Sequence, residues 1–394
     1  MTISARERVA VFLLGFSAFL PLYAPQSVLP RMAAALGTSV AATGTVIGAT
    51  TLAVAVAAPL AGPLTDRFGR KRAMLAALAA LGPLTLALVL CQTLDQVLVA
   101  RFAQGMALPA LLTGAVAFIT GRWTGPASAA IMGVFVGGSA MGGFAGRFVA
   151  GLFGELFGWQ AGFAALAVLS LACLPVIQHW LPADTPQPDS RFSAHLGATW
   201  RHAKDFRIRS AALFGATVLF AMTGTLSYVG FHLAQPPFNL GPAEIGLVFL
   251  VYPLGAAMAP MNGRLLRRLA LRPAIAAAIA ICLTGLGLLL IPMVPAVMAG
   301  ICVFIIGIFL CQSLALGYVG RTARFSPGAA AGLYVCCFYL GGSLGAVIPG
   351  LLWPLYGWHG CVVVIAATLC GGAMLSRLMS EAPNGTINPQ RFKN

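Results

Sequence analysis

The chain has 394 residues, of which 59% are hydrophobic and only 8% charged, and it carries a formal charge of +15. So few charged groups cannot cover a water-soluble surface of this size, so the composition is that of an integral membrane protein. The positive charge reads as membrane topology and attraction to anionic lipid, and no nucleic-acid partner is expected because no basic cluster is interleaved with aromatic residues.

A bilayer core about 30 Å thick takes roughly 20 apolar residues per helix, and such runs follow one another along the whole sequence. In chain order they are expected at Val9–Pro30, Val40–Ala61, Ala73–Cys91, Val97–Thr120, Ala129–Phe153 and Gln160–Leu181, then at Ser210–Leu233, Pro242–Asn262, Pro273–Ile291, Pro295–Tyr318, Ala329–Leu355 and Cys361–Met379. The runs are apolar all round, whereas membrane-barrel strands alternate apolar and polar positions, so the expected fold is an all-α membrane protein of twelve transmembrane helices. The first run has no small-residue cleavage site behind it and reads as a retained helix. With the N-terminus inside, every Lys and Arg except Arg31, Arg101 and Arg147 falls in a cytoplasmic loop or tail or at a cytoplasmic helix end. That bias predicts a multi-pass protein of a bacterial inner membrane with both termini cytoplasmic.

The chain repeats itself. "GGFAGRFVAGLFGELFGW" from Gly142 matches "GGSLGAVIPGLLWPLYGW" from Gly341, and "GPLTDRFGRK" from Gly62 is echoed by "GRLLRRLALR" from Gly263. Two pseudo-symmetric six-helix halves follow, 1–181 and 210–394, the second with a short cytoplasmic tail. They are joined by a polar, proline-bearing linker at 182–209 whose "SAHLGATWRHAKDF" suits a short amphipathic helix on the inner leaflet. A midplane site between parallel halves is the arrangement of rocker-switch transporters, and two such halves suffice for a monomer.

Two motifs carry a family likeness. "GPLTDRFGRKR" resembles the loop between the second and third helices of the major facilitator superfamily, matching at Gly62, Leu64, Asp66, Arg67, Gly69, Arg70 and Lys71. "RFAQG", Arg101 to Gly105, resembles the R-x-x-Q-G run in the fourth helix of its proton-linked exporters. The likeness spans the chain and is greatest to the twelve-helix efflux branch, of the YnfM or arabinose-efflux-permease type. It implies the major facilitator fold, alternating access, export, a proton as coupling ion and no cofactor. It also implies a gating latch in which Asp66, with Gly62, Arg67, Gly69 and Arg70, holds the cytoplasmic side closed against the eleventh helix. The counterparts of Asp66 and Gly69 in the second half are Arg267 and Ala270, so any second latch is degenerate.

The charge census then separates substrates. All nine acids, Glu7, Asp66, Asp95, Glu155, Asp184, Asp189, Asp205, Glu244 and Glu381, fall in loops, tails or helix ends. An exporter of cations usually places a carboxylate in the membrane; this chain instead places Arg101 and Arg147 there, both expected roughly 6 to 10 Å below the outer face at about 1.5 Å per residue. The helix-five antiporter motif G-x-x-x-G-P-x-x-G-G is met at Gly138, Gly142 and Gly146, but Gly143 replaces its proline and Arg147 its last glycine. Arg147 corresponds in the repeat to Ala346, so the scaffold itself does not require a cation there.

Three readings of Arg147 stand open: an anchor for a substrate anion, a gate partner of Glu244 or Glu155, or a snorkelling cation bonded to free carbonyls. For Arg101 a structural or coupling role weighs more. Tyr23, Gln26, Ser227, Tyr228, His232, Gln312, Tyr334 and Tyr339 are the other candidate cavity groups, and His232 is the one near-membrane group with a neutral-range ordinary pKa. The substrate expected is a small neutral or anionic organic solute. Multidrug efflux and soft-metal transport, the latter through His232, methionines and Cys302, Cys311, Cys336 and Cys337, are the alternatives, although no metal-ligand spacing stands out. A membrane enzyme is not expected, since no nucleophile-base motif or H-E-x-x-H appears.

Overall fold

The computed structural model describes residues 3–184, 192–257, 269–323 and 325–379. Among these residues all regular structure is helical. Helix α1, Ala5–Phe19, opens on a capping box in which Ser4 accepts from the Glu7 amide and Glu7 accepts from the Ser4 amide. It ends where the prolines begin. Pro21 and Pro25 lack the N–H groups that would continue the ladder, and the chain passes through a 3₁₀ turn, Ala24–Ser27, into α2, Leu29–Leu36, which closes at Gly37 with φ 61°. The single helix expected over Val9–Pro30 is therefore broken.

Five long helices follow: α3 (Val40–Phe68), α4 (Arg70–Ala87), α5 (Leu94–Arg122), α6 (Gly125–Phe157) and α7 (Trp159–Trp180). The linker contributes α8, Phe192–Lys204, and then α9 runs over Phe206–Leu233. The eighth expected span is the second broken one. It comprises α10 (Pro242–Val248), a 3₁₀ turn (Phe249–Val251) and α11 (Tyr252–Ala257). Pro253 accounts for the break, because its ring crowds the carbonyl of Phe249 and its nitrogen cannot donate to it. The rest of that span, to Asn262, lies outside the described residues, as do Arg267, Asp189 and Glu381. The chain continues as α12 (Leu271–Leu288), α13 (Val294–Thr322), α14 (Pro327–Leu351) and α15 (Trp353–Ser376). Among the described residues ten helices, α3 to α7, α9 and α12 to α15, are long and apolar enough to cross a membrane.

The sequence repeat corresponds to a repeated packing seam. On α6, a Cβ added to Gly138, Gly142 or Gly146 would lie 2.1, 2.1 or 2.0 Å from the carbonyl oxygen of Phe12, Phe16 or Leu20. On α14, a Cβ at Gly341 or Gly345 would lie 2.0 or 2.2 Å from the carbonyl oxygen of Ala216 or Phe220. Only glycine lets these backbones approach so closely, and in lipid such approach replaces the hydrophobic effect as the force between helices. Similar approaches occur across the halves: a Cβ at Gly151 would lie 2.2 Å from the Pro242 carbonyl oxygen, and one at its counterpart Gly350 would lie 2.8 Å from Ala41 Cα and 2.3 Å from the Tyr228 hydroxyl of its own half. These cross-half approaches lie at the end of the bundle opposite the start of α1 and the end of α15, termed the distal end, the other being the terminal end. Nearer the terminal end of α6, a Cβ at Gly133 or Gly137 would meet nothing within 4 Å.

The linker helix α8 lies against α14 and α3. Its buried His202 stacks on Phe325 at 4.1 Å and its Nε2 is 2.9 Å from the Phe325 carbonyl oxygen, while Trp200 is exposed.

Candidate functional site

The two arginines and the broken first span form one structure. With proline at position 25, the carbonyl of Pro21 has no helical donor, and the Gln26 amide bonds to Tyr23 rather than to Leu22. Arg101, fully buried on α5, supplies the missing donors. Its Nη1 donates to the Pro21 carbonyl at 2.8 Å and to Gln104 Oε1 at 2.7 Å, its Nη2 to the Leu22 carbonyl at 2.6 Å, and its Nε to the Val46 carbonyl at 3.3 Å. Gln104 passes the network on by donating to Thr85 Oγ1 at 2.8 Å, and Thr85 donates to the Leu81 carbonyl. All three guanidinium nitrogens of Arg101 are thus engaged inside the protein, and the residue acts as the brace of a helix break. The following Gly105 marks where α5 meets α3, since a Cβ there would be 2.3 Å from the Thr50 carbonyl oxygen.

Arg147 faces the other side of the same break, and its environment differs. Its Nε donates to Gln26 Oε1 at 2.7 Å and its Nη1 to the Gly143 carbonyl at 2.6 Å. The guanidinium carbon lies 5.3, 4.7 and 5.0 Å from the ring centroids of Tyr23, Phe249 and Tyr252. These rings come from both broken spans, one in each half, and each cation–π contact contributes on the order of 1 kcal/mol against the cost of burying the charge. Nη2 is buried and has no hydrogen-bond partner among the described residues. Gly143, one turn before, leaves the approach free of a side chain: a Cβ there would come within 3.3 Å of the Tyr252 ring and 3.4 Å of Arg147 Nη1. Tyr339 of α14 is buried and packs edge-on against Phe338 at 5.6 Å.

Helix α6 continues past Phe153 to Phe157, so Arg147 stands ten residues from its distal end, about 15 Å along the axis, against about 10 Å for Arg101 from the start of α5. The Arg147 side chain folds back toward the N-terminal end of α6, as helical side chains do, and reaches the Gly143 carbonyl one turn before.

Neither expected gate carboxylate is paired with Arg147. Glu244 caps its own helix by accepting from the Gly241 amide at 2.9 Å, and Glu155 accepts from the Ala243 amide of the opposite half at 2.9 Å. Tyr23 and Gln26 are brought onto Arg147. Tyr228 spends its hydroxyl on the Ala346 carbonyl at 2.6 Å, and His232 stacks on Trp358 at 5.2 Å with Phe238 edge-on. Gln312 is partly buried on α13, and Tyr334 packs on Phe338. Phe249, Tyr252 and Ser27, which donates to the Arg147 carbonyl at 2.7 Å, were not among the candidates. Their signal in the sequence is a proline inside an apolar run, "YAPQS" and "FLVYP", which marks where backbone groups and side chains are turned inward. Among the described residues no group of three His, Cys, Asp or Glu side chains comes together, and the nine cysteines are free thiols.

At the terminal end, Asp66 pairs with Arg70 of its own loop at 3.0 Å, across Gly69 with φ 88°. Arg67 lies over Phe68. Arg70 also donates to the Ala117 carbonyl, and Asp184 caps α4 by accepting from the amides of Arg70 at 2.8 Å and Lys71 at 3.3 Å. Helix α3 runs unbroken through Gly62 and Asp66.

Membrane-length helices in two repeated halves, with a proline-broken span of each half converging on a buried cation, define a membrane transporter. The family model described as Major Facilitator Superfamily matches residues 11–346, and the chain belongs to that superfamily: it is a multi-pass transporter and not an enzyme. The inner membrane transport protein YnfM of Escherichia coli (strain K12) is 27% identical over 366 residues, covering 92% of this chain and 88% of its own. The 4-hydroxybenzoate transporter PcaK of Pseudomonas putida is 28% identical over 171 residues, 43% of this chain and 38% of its own. The crystal structure of a bacterial homolog to the human lysosomal transporter Spinster, inward-facing and occupied, shares the fold with a TM-score of 0.75 at 14% identity, over 94% of this chain and 95% of that one.

Proposed function

We propose that this protein is a secondary active transporter that moves a small organic anion across a bacterial inner membrane by alternating access, with Arg147 as the group that receives the anion. The observation that carries the reading is the buried Nη2 of Arg147, a charged donor with no protein partner among the described residues, in a cage of rings contributed by both halves. A carboxylate is the natural complement of such a donor. The substrate for which PcaK is named, 4-hydroxybenzoate, is an aromatic carboxylate, the kind of solute that a guanidinium among aromatic faces would hold. The absence of any carboxylate in the described membrane helices away from their ends supports anions over cationic drugs. Export, a proton as coupling ion and a monomeric state rest on the family likeness. Both termini are placed in the cytoplasm by the basic-residue bias, which makes the distal end external. The halves are taken as 1–181 and 210–394, joined by a cytoplasmic linker at 182–209.

In this reading the external side is closed, and Asp66, which pairs with Arg70, serves the latch that closes the other side. The test is thermal stabilisation of purified protein by a panel of benzoate, aliphatic carboxylates, their neutral amides and lipophilic cations. Carboxylates are expected to raise the melting temperature of the parent protein and to leave Arg147→Ala unmoved. Stronger stabilisation by cations, or an equal response in the variant, would overturn the assignment.

A further inference from the structure

The hydrogen bond from Gln26 Nε2 to Ser227 Oγ, 3.1 Å long, joins residues that are 201 positions apart. Gln26 lies in the broken first span and Ser227 on α9, so the bond joins the two halves of the chain. The backbone of Gln26 is equally close to the opposite half, its carbonyl oxygen 2.9 Å from where Gly230 would carry a Cβ. The Gln26–Ser227 bond is one of the polar contacts between the halves, with that of Ser343 Oγ to the Gly48 carbonyl at 3.0 Å, and it shares its amide with Arg147.

The amide's orientation is fixed by charge. Oε1 must face the Arg147 Nε donor at 2.7 Å, because the reverse would set N–H against N–H, so the NH₂ group faces Ser227. Arg147 and Gln26 both belong to the first half, whereas Ser227, Phe249 and Tyr252 belong to the second. Parting of the halves at the distal end keeps the Arg147–Gln26 bond and breaks Gln26–Ser227. It also takes two of the three rings away from the guanidinium. The freed amide N–H then stands beside Arg147 Nη2, and the two form a fork for one anion.

We infer that Gln26 is the coupling residue of the transport cycle: its side-chain NH₂ holds the distal side shut through Ser227 and becomes the second donor to the anion when that side opens. An anion at Arg147 competes with Ser227 for this NH₂, and by linkage its binding favours distal opening. The inference rests on Arg147 being the anion site.

Two measurements on the purified full chain test it. The first needs no ligand: hydrogen–deuterium exchange in Ser227→Ala against the parent protein. The variant is expected to take up more deuterium in residues 20–30 and 223–233, the segments joined by this contact, and unchanged uptake there would overturn the role of Gln26 as a distal clasp. The second uses benzoate as the probe, titrated against the parent, Ser227→Ala, Gln26→Ala and Arg147→Ala. Removing Ser227 releases the amide and is expected to tighten benzoate binding by about 2- to 10-fold, the worth of one hydrogen bond, while Gln26→Ala weakens it by a similar factor. Equal or weaker binding in Ser227→Ala, with loss in Arg147→Ala, would overturn the coupling and keep the anion site. Binding that is indifferent to Arg147 would overturn the anion site itself.

Discussion

The two halves of the molecule solve one structural problem with different side chains. At the fifth-span helix of each half, a carbonyl facing the opposite half must be satisfied. In the first half it is that of Arg147, which accepts from Ser27 at 2.7 Å; in the second it is that of Ala346, which accepts from Tyr228 at 2.6 Å. Arg147 and Ala346 are counterparts in the repeat, and Ser27 and Tyr228 reach them from the first-span segment of their own half. Each carbonyl also has a glycine of the other half against it, Gly246 at 2.8 Å and Gly44 at 2.1 Å from the added Cβ. The scaffold is thus symmetric down to individual backbone groups, and the chemistry is not. Arg147 has alanine as its counterpart, and Arg101 falls opposite Ile301, which is buried in the second half. What is duplicated is packing, and what is single is charge. Function in this fold is therefore to be sought where the repeat fails.

The largest effect expected from breaking this comparison is on stability, at Arg101. Arg101→Leu keeps the volume near that of the apolar counterpart but orphans the carbonyls of Pro21 and Leu22, at about 1–3 kcal/mol for each buried group left unpaired. The second half, which has isoleucine there, has no such debt. The variant should melt well below the parent or fail to fold, whereas Ile301→Leu, a volume-conserving change, should cost under about 1.5 kcal/mol. Comparable losses in both would show that Arg101 braces nothing.

Next in size are the glycine seams, where the halves should behave alike. Gly146→Val and Gly345→Val each force a side chain into backbone atoms 2.0–2.2 Å away, and overpacking of this kind costs typically 1–3 kcal/mol or more. Melting temperatures should fall by similar amounts. A loss confined to one of them would mean that the repeated sequence does not mark a repeated seam. At the terminal end the symmetry fails again, since Asp66 has Arg267 as its counterpart. Asp66→Asn is expected to lower transport in vesicles while leaving the carboxylate-induced rise in melting temperature intact; full turnover in that variant would remove the latch.

Much of the fold is legible in the composition and the repeat. Apolar runs of the right length identify the ten membrane-length helices, because in lipid a helix is the only open segment that satisfies its own backbone. The repeated glycines announce two equivalent halves, and they fall on the α6 and α14 seams. The broken spans are less legible. Hydropathy does not distinguish Val9–Pro30 from a continuous helix, and the prolines that do so say only that carbonyls are freed, not which residue meets them. That Arg101 takes Pro21 and Leu22 while Arg147 takes Gln26 depends on how α5 and α6 flank the turn, which is tertiary information. Tyr252 and Phe249 were hidden for the same reason, as two aromatics in an apolar run that become a cage only when Pro253 turns their segment.

The smallest predicted effect is also the finest test of symmetric scaffold and asymmetric charge. Ser27→Ala and Tyr228→Phe each remove one hydroxyl from the equivalent carbonyl, and each should cost about 0.5–1.5 kcal/mol as a single hydrogen bond. Their consequences for ligand should diverge. The Ser27 bond fixes the backbone of Arg147 itself, beside the Gln26 bond that aims its guanidinium, so loosening it should reduce the benzoate-induced rise in melting temperature. Tyr228 fixes the backbone at Ala346, which carries no donor, and its loss should lower the melting temperature with the benzoate increment unchanged. Equal benzoate increments in the two variants would mean that the anion does not depend on how Arg147 is held, and the distinction between the halves would reduce to packing.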